Sequence, residues 1–379
     1  GIIPEDAGTL AVVSTLLSST QKVGAFAQKL EQFYMANGRG NIQFGILADL
    51  REARLPERPE DKAVGTAAVR TVAKLNRKYG PHFCLFLRAR RFCETQGNFA
   101  GWERKRGAIL ELVRFIKGEK TSIATAEGDL ARVRQVKYLI TLDADTGLVM
   151  DSAAEMVAAA MHPLNAPEID TARGVVTRGY GILAPRIGVD LESAGNTAFS
   201  RVMAGCGGVT AYDNAAGDIY QDLFGEGIFA GKGLIHVDAF YQLAGGKLPA
   251  NRILSHDILE GCFLRAGFLS DVELTDGFPA RPDAWFSRLH RWLRGDWQNI
   301  VFLARRIPSA DGEKRNSPLG GLSRFKLWDN LRRSLTPVLA FTCLLLAAFS
   351  PLPLALLFVA AAVFSVAVSY THLTLPTKA

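Results

Sequence analysis

The sequence predicts an α/β fold in which a mostly parallel sheet carries helices on both faces and is followed by membrane helices. Two observations lead to this prediction. Up to Leu142, short apolar segments alternate with longer segments of helical periodicity, a pattern typical of parallel sheets. Further along, residues 336–369 contain no charged side chain, which is typical of segments that enter a bilayer.

The composition narrows the class of protein. A chain of 379 residues is long enough for one large domain or two smaller ones with a sizeable core. Its apolar content of 48% excludes a disordered chain, and its five cysteines, an odd number without a CxxC pair, exclude a disulfide-stapled mini-protein. The cysteines therefore indicate reduced thiols of a protein in contact with the cytosol, and they do not suggest a zinc site.

Four apolar segments have the length of buried strands, and three intervening segments have the spacing of helices. The predicted strands are Thr9–Leu17, Ile42–Leu47, Phe83–Leu87 and Val136–Leu142, and the predicted helices cover about residues 20–36, 60–79 and 103–117. A glycine follows each helix, at Gly38, Gly80 and Gly118, and glycine commonly ends helices. Because ligands bind beyond the carboxyl ends of parallel strands, polar residues at those ends are candidate site residues.

Acidic residues follow two of these strands. Asp49 lies just beyond the second strand, and Asp143 and Asp145 form a D-x-D motif just beyond the fourth. Residues i and i+2 of an extended segment point to the same side, so both carboxylates can converge on one cation. Their oxygens suit Mg²⁺ or Mn²⁺ bound together with substrate phosphates. On the residues alone, the D-x-D motif could instead form a solvated turn, and Asp49 could cap the next element.

A third acidic site lies in the segment SHDILEG, residues 255–261. Ser255 is predicted to cap a helix that presents His256 and Asp257 near its start. A carboxylate at that position, that of Asp257, could act as the general base toward a polar acceptor. The alternative is that its negative charge only favours the helix dipole.

The segment RLHRWLRGDWQ, residues 288–298, is the most specific motif of the sequence. Arg288, Arg291 and Trp292 are three or four residues apart and share a helical face with Gln298. Guanidinium groups bind phosphate through paired hydrogen bonds, and a tryptophan face stacks on a sugar. This face is therefore predicted to bind a ligand, with a basic helix resting on lipid headgroups as the alternative.

Positive charge is concentrated around this motif. The chain has 44 basic and 37 acidic residues, a net charge of +7, and residues 281–333 alone contain 12 basic and 5 acidic residues. A local basic segment indicates an anionic ligand or an anionic membrane surface. The sequence favours no nucleic-acid partner, because it has no aromatic-basic repeat and no zinc-finger spacing. It also contains neither G-x-G-x-x-G nor G-x-x-x-x-G-K-[ST], so a dinucleotide site or P-loop is poorly supported.

The uncharged run is predicted to form a transmembrane hairpin. Its halves, Thr336–Ser350 and Leu354–Ser369, flank Pro351-Leu352-Pro353, and each is slightly short for roughly 30 Å of hydrocarbon. A buried core hairpin is the alternative. Arg332 and Arg333 would keep the preceding residues in the cytosol. The predicted division is a cytosolic domain at 1–280, a basic amphipathic interface segment at 281–335, the hairpin at 336–370 and a non-native tail at 371–379.

Taken in order, these motifs resemble those of membrane-bound processive glycosyltransferases of the GT-A fold, whose pattern is D, D-x-D, (T/E)D and (Q/R)xxRW. More narrowly, the chain resembles the glycosyltransferase domain of cyclic β-1,2-glucan synthases, and the resemblance covers nearly all of residues 9–335. The stretches that carry it include GWERKRG (101–107), YLITLDADT (138–146), YQDLFGEGIFAGKG (220–233), NRILSHDILEG (251–261), HRWLRGDWQ (290–298) and DNLRRSL (329–335).

The resemblance implies an inverting transfer of glucose from UDP-glucose to a growing β-glucan, free or protein-linked, at the bacterial inner membrane. Asp257 would be the general base, and Asp49 would contact the uridine part of the donor. Asp143 and Asp145 would hold the diphosphate through Mg²⁺ or Mn²⁺. The other implied ligands of the nucleotide sugar are Lys105, Arg106, Arg288, Arg291 and Trp292.

Two alternatives stay open. One is another polymerase of the same fold, which makes cellulose-like or hyaluronan-like chains, and the other is a non-catalytic membrane-anchored fragment. Members of the resembling family are much longer and carry further membrane helices and a carboxyl-terminal phosphorylase-like domain. Ring closure and control of chain length are therefore not assigned to this chain.

Overall fold

The computed structural model describes residues 1–94, 96–204, 218–245, 248–250, 252–253 and 255–374, with only the backbone for Arg333 and residues 365–374. The strands are β1 (Thr9–Leu17), β2 (Ile42–Leu50), β3 (Phe83–Arg88), β4 (Arg91–Cys93), β5 (Asn98–Ala100), β6 (Ile123–Glu127), β7 (Tyr138–Leu142), β8 (Thr146–Leu148), β9 (Glu168–Asp170), β10 (Val175–Arg178), β11 (Ile182–Val189), β12 (Gly233–His236), β13 (Ala266–Asp276), β14 (Arg306–Pro308) and β15 (Lys314–Asn316).

The helices are α1 (Thr20–Asn37), α2 (Pro59–Tyr79), α3 (Arg104–Ile116), α4 (Leu130–Val133), α5 (Ser152–Met161), α6 (Leu191–Gly195), α7 (Ala198–Met203), α8 (Ile219–Phe224), α9 (Val237–Ala244), α10 (Asp257–Leu264), α11 (Pro282–Gln298), α12 (Gly321–Ala348) and α13 (Leu352–Thr374). Single 3₁₀ turns lie at Pro163–Asn165 and Asn299–Leu303.

Nine strands form one sheet in the order β6-β3-β2-β1-β7-β12-β11-β13-β8. The four strands β3, β2, β1 and β7 pair in parallel, and so do β11 and β13. Strands β6, β12 and β8 are antiparallel to their neighbours. Because β12 opposes both β7 and β11, those two run the same way, so that six of the nine strands share one direction. The predicted mostly parallel α/β sheet is confirmed.

Both faces of this sheet carry helices. Alternate residues of a strand point to opposite faces, and β1 shows the consequence. Ala11 and Val13 belong to an apolar cluster with side chains of α1, α2 and α5, whereas Leu10 and Val12 belong to a second cluster with side chains of α3 and α9. The sheet therefore lies between two helical layers, and its central strands are buried on both sides.

The four predicted strands are β1, β2, β3 and β7, and the three predicted helices are α1, α2 and α3. The bounds agree within three residues because each segment is long, apolar and ended by a clear stop. Five strands of the sheet were not predicted, since the strand prediction ended at Leu142 and also missed one strand before it. Two of them, β11 and β13, are long, and the other three, β6, β8 and β12, are short. Each of these three has only three to five residues, IATAE, TGL and GLIH, and such short segments carry no usable periodicity.

Helices α12 and α13 contain the uncharged run. The interruption between them, at residues 349–351, falls at the predicted proline break. Helix α12 begins at Gly321 and contains the segment DNLRRSL as well as the first half of the apolar run. Of the predicted tail, residues 371–374 continue α13, and residues 375–379 lie outside the described residues.

Within the part of the chain that the structure describes, no helix alone has both the length and the apolar composition needed to cross a bilayer. Two consecutive segments, Gly321–Arg332 and Ser334–Ala348, meet that requirement only together and are bent by 48° relative to each other.

Candidate active site

The predicted site residues meet at the carboxyl edge of the sheet. There a cavity of about 810 Å³ is lined by eight of the nine: Lys105, Arg106, Asp143, Asp145, Asp257, Arg288, Arg291 and Trp292. Asp49 lines an adjoining cavity of about 600 Å³, and Lys105 and Asp143 line both. Residues up to 187 positions apart, from Lys105 to Trp292, thus come together in one cleft. Their chemical roles stay predictions.

The D-x-D turn is surrounded by cationic side chains. Lys105 donates to Asp143 Oδ1 at 2.6 Å, and Lys232 Nζ lies 3.6 Å from Asp143 Oδ2. Burial raises the pKa of Asp143, but the two lysines outweigh burial and lower it to about 2. On the far side of the turn, Arg288 donates to Asp145 Oδ2 at 3.0 Å, and Lys29 donates to the Ala144 carbonyl. Asp143 is therefore ionised throughout the physiological pH range.

The same two carboxylates fit a hard divalent cation. Carboxylate oxygens are the ligands that Mg²⁺ and Mn²⁺ prefer, and Asp143 and Asp145 both face the cavity. Lys105 and Lys232 pair with the two oxygens of Asp143, and Arg288 pairs with Oδ2 of Asp145, so a bound cation would take the place of some of these contacts. The donor set of the D-x-D turn thus suits the predicted metal.

The buried side chain of Arg88 pairs with Asp49 through two hydrogen bonds. Arg88 donates from Nε and from Nη2 to the two oxygens of Asp49, both at 2.8 Å, and its Nη1 donates to Glu111 at 3.0 Å. The Arg88 side chain is fully buried. Burial raises the pKa of Asp49, and Arg88 opposes that rise. The arginine therefore fixes the orientation of Asp49 at the end of β2.

This network predicts a large loss of stability on substitution. In Arg88→Met the carboxylate of Asp49 loses its partner and that of Glu111 keeps only Arg91 and Ser122, so the free energy of unfolding should fall by about 3–5 kcal/mol. The exposed pair of Arg315 and Asp311 offers a control, since Arg315→Met should cost at most about 1 kcal/mol. Denaturant unfolding of both variants measures the difference. Equal losses would contradict the role assigned to Arg88.

Asp257 begins α10 and is partly exposed to the cavity, with 31% of its side chain accessible. The residue before it, His256, occupies the cap position and makes no capping bond through its side chain. The predicted capping by Ser255 is therefore wrong. Ser255 instead accepts through its carbonyl from Asn299 and packs against Gly295 of α11. The loop before α10 is thus fixed by the helix that carries the Arg-Trp motif.

Gly231 lies between two site residues, Lys105 and Asp257. Its carbonyl accepts from Lys105 Nζ at 2.6 Å, and its backbone has a φ of +84°. A Cβ atom at this position would lie 2.8 Å from the carboxylate of Asp257. Only glycine therefore allows the loop that precedes β12 to pass between Lys105 and Asp257.

Substitution of Gly231 by alanine should reduce activity more than stability. Gly312 has the same φ of +84° but no atom within 4 Å of its Cβ position, so Gly312→Ala shares the backbone strain of about 1 kcal/mol. Only Gly231→Ala displaces Asp257, and we expect an additional loss of transfer rate of about 10- to 100-fold. Thermal unfolding and transfer assays on both variants separate the two effects. Equal activity in the two would argue against the position assigned to Asp257.

Helix α11 presents the Arg-Trp motif to the cleft. Trp292 packs edge-on against Trp285 at 6.2 Å between ring centroids, and Trp285 stacks on Phe278 at 5.2 Å. These aromatic contacts anchor α11 next to the end of β13. Arg288 and Arg291 consequently face the cavity, as the helical spacing predicted.

Arg106 differs from the other predicted ligands. Its side chain is 6% exposed, and its guanidinium donates to the carbonyls of Leu248 and Pro249 and pairs with Glu103. Arg106 therefore fixes the loop before α10, and a phosphate contact would have to replace these bonds. Its neighbour Lys105 points into the cleft.

The structure adds four residues to the site that were not predicted as site residues: Lys232, Asp276, Arg88 and Glu260. Lys232 pairs with Asp276 at the end of β13 as well as with Asp143, and Arg88 holds Asp49. Glu260 contacts His256 from the next turn of α10. Lys232 lies in the glycine-rich segment AGKG directly before a strand, and that position was the one available signal.

The fold and the cleft define the class: an α/β protein with a polar cavity of mixed charge at the carboxyl edge of its sheet, where such sheets bind ligands. The chain is 38% identical over 344 residues to the cyclic β-(1,2)-glucan synthase NdvB of Rhizobium meliloti (strain 1021). This alignment covers 89% of the chain and 12% of the length of that relative. The resemblance to a cyclic β-1,2-glucan synthase is confirmed, over a small part of the length of that relative.

Two further comparisons were made. The chain matches no protein-family model. Among solved structures, the galactosyltransferase LgtC in complex with donor and acceptor sugar analogues superposes with a TM-score of 0.28 at 11% identity, over 69% of this chain and 72% of that chain. At this TM-score the likeness supports no further conclusion.

Proposed function

We propose that the chain is an inverting glucosyltransferase of the GT-A type, which uses UDP-glucose to elongate a β-1,2-glucan that is later cyclised. The observation that carries the proposal is the common cleft of Asp145, Asp257 and Trp292. The relative named above is a cyclic glucan synthase, but the chain corresponds to only 12% of it. For this chain, activity, substrates and product are therefore proposals.

The cleft suits a nucleotide diphosphate sugar. Its volume of about 810 Å³ lies in the range of small-molecule sites, roughly 300–1,000 Å³. Asp49 would contact the uridine part, and Lys105, Arg288 and Arg291 would neutralise the diphosphate. Arg106 would support the loop that borders the phosphates.

Asp143 and Asp145 would hold Mg²⁺ or Mn²⁺ beside the diphosphate. When bound, such an ion supplies Lewis-acid stabilisation of the leaving phosphate charge. The basic side chains around the D-x-D turn contribute in the same direction, since fixed positive charge is most effective where negative charge develops.

Asp257 would remove the proton from the acceptor hydroxyl. The acceptor oxygen would then attack the anomeric carbon from the side opposite UDP, and the bond from that carbon to the diphosphate would break. A single displacement inverts the configuration and needs one base, which agrees with one carboxylate at the start of α10. Trp292 would stack on the acceptor sugar.

We propose that the catalytic domain at 1–280 lies in the cytosol on the bacterial inner membrane. The segment at 281–335 would rest on the lipid surface, and 336–370 would form a transmembrane hairpin with 371–379 as a non-native tail. The support is compositional: excess positive charge in the first segment and an uncharged run in the second.

A donor competition experiment tests the function. Membranes that contain the protein are incubated with labelled UDP-glucose, UDP-N-acetylglucosamine and UDP-glucuronate, and the polymer is analysed for linkage. We expect polymer from UDP-glucose alone, with β-1,2 linkages. Product from the other donors would indicate a hyaluronan-like polymerase, and β-1,4 linkages would indicate a cellulose-like one. No turnover of any donor would indicate a non-catalytic protein.

A further inference from the structure

Behind Asp257 lies a compact group of three titratable side chains. Ligand atoms of His256, Asp257 and Glu260 lie within 4.8 Å of one another. His256 Nε2 is 3.3 Å from Asp257 Oδ1, and His256 Nδ1 is 3.1 Å from Glu260 Oε2. Glu260 and His256 are almost fully buried, at 3% and 8% exposure of their side chains. One imidazole ring is thus placed between two carboxylates.

The ring nitrogen and the carboxylate oxygens of this group lack hydrogen bonds, and a neutral imidazole carries too few protons to supply them. His256 Nδ1, Asp257 Oδ1 and Glu260 Oε2 are all buried and make no aligned hydrogen bond. A neutral imidazole carries one N–H, whereas a carboxylate at each nitrogen calls for two. Both carboxylates therefore face an N–H donor of the ring only when His256 is an imidazolium ion. Lys105 of α3 also acts electrostatically on His256, and Arg294 and Asp296 of α11 line the same cavity.

We propose that Glu260 and His256 are positioning residues for Asp257. Glu260 holds His256 in its doubly protonated form, and the imidazolium binds Oδ1 of Asp257. This contact fixes the carboxylate and leaves Oδ2 as the oxygen that faces the cleft. The proposal rests on the function proposed above, since it concerns how the general base of that reaction is held.

The proton balance of the step is simple. Asp257 Oδ2 takes the proton of the acceptor hydroxyl while that oxygen bonds to the anomeric carbon and UDP departs. His256 keeps both of its protons, and Glu260 takes no part in the proton transfer. The pair therefore acts through orientation and charge and exchanges nothing with the substrate.

A metal ion is the competing occupant of this cluster. A single ion would need a lone pair from one ring nitrogen and an oxygen from each carboxylate at one point. In the structure the two carboxylates instead face opposite nitrogens of the ring. The imidazolium arrangement therefore accounts for both contacts, whereas a metal accounts for one.

The experiment compares His256→Gln and Glu260→Gln with the wild-type protein. Burial lowers the pKa of His256, but Asp257 and Glu260 outweigh burial and raise it. Wild-type activity should therefore fall as the pH rises through this pKa and the imidazolium is lost, and His256→Gln should lack that basic limb of the pH–rate profile. Loss of orientation should lower kcat by about 10- to 100-fold, with KM for UDP-glucose unchanged. Glu260→Gln should act in the same direction with a smaller loss. The exposed residue His162 supplies the control His162→Gln, for which we expect the wild-type profile.

Three results would overturn the proposal. One is a wild-type pH profile in both variants, even if their activity is low. The second is a loss of activity that follows only the loss of folded protein, measured by thermal unfolding. The third is a stoichiometric metal that is present in the wild type by elemental analysis and absent from both variants. If the wild type itself turns over no UDP-glucose, the proposed function fails instead.

Discussion

Replacement of Asp257 by asparagine is expected to lower the rate of glucosyl transfer by about 10²- to 10⁴-fold, the usual contribution of a general base. The amide keeps the shape of the side chain but cannot take the proton of the acceptor hydroxyl. Binding of UDP should change little, because Asp257 lies at the acceptor side of the proposed reaction. Single-turnover transfer and UDP titration measure the two quantities on the same preparation.

The control for this variant is Asp283→Asn. Asp283 lies in the first turn of α11, is exposed and pairs only locally with Arg281, so its replacement should leave transfer unchanged. Equal transfer by wild type and Asp257→Asn would remove Asp257 as the base. Near-zero turnover in both would favour a non-catalytic protein.

Replacement of Asp143 by asparagine is expected to reduce transfer by about 10²- to 10³-fold, in the range measured for loss of one preorganised electrostatic group. Here the physical reason is twofold. The variant loses a ligand for Mg²⁺ or Mn²⁺, and it leaves Lys105 and Lys232 without the carboxylate that positions them. Steady-state kinetics should therefore show a raised KM for UDP-glucose as well as a lower kcat.

Metal titration completes this prediction. Excess chelator should abolish transfer by the wild type, Mg²⁺ or Mn²⁺ should restore it, and Asp143→Asn should need more metal for half-maximal rate. Asp151→Asn is the matched control, because Asp151 is a surface residue at a φ of +61° that asparagine tolerates. Undiminished activity of the wild type in excess chelator would rule out the metal assignment to Asp143 and Asp145.

The sequence predicted the parallel half of the sheet well. Strands such as β1 are buried on both faces, so they appear as continuous apolar runs that end at clear stops. Strands β8 and β12 escaped prediction because they have only three and four residues. Segments of this length carry no usable periodicity, so their place in the sheet depends on the tertiary fold.

The residues of the candidate site were likewise only partly predictable from the sequence. Asp143, Asp257 and Trp292 lie in motifs whose spacing indicates chemistry, and the structure brings them into one cleft. Arg88 and Lys232 lie in segments that resemble any strand or glycine-rich loop. Their importance comes from burial and from partners far along the chain, and neither is visible in local sequence.

The division between the interface segment and the hairpin stays a prediction. DNLRRSL and the apolar run differ sharply in charge, so the sequence favours a division near residue 336. In the structure both belong to α12, whose segments Gly321–Arg332 and Ser334–Ala348 are bent by 48° relative to each other.

The central claim is that one cleft binds the nucleotide sugar between the D-x-D turn and α11. A structure of the protein with UDP and Mn²⁺, determined by electron cryo-microscopy or crystallography, tests it most directly. We predict density for the diphosphate between Asp145 and Arg291, with the uracil toward Asp49. UDP bound at another surface, with this cleft left open, would contradict the account.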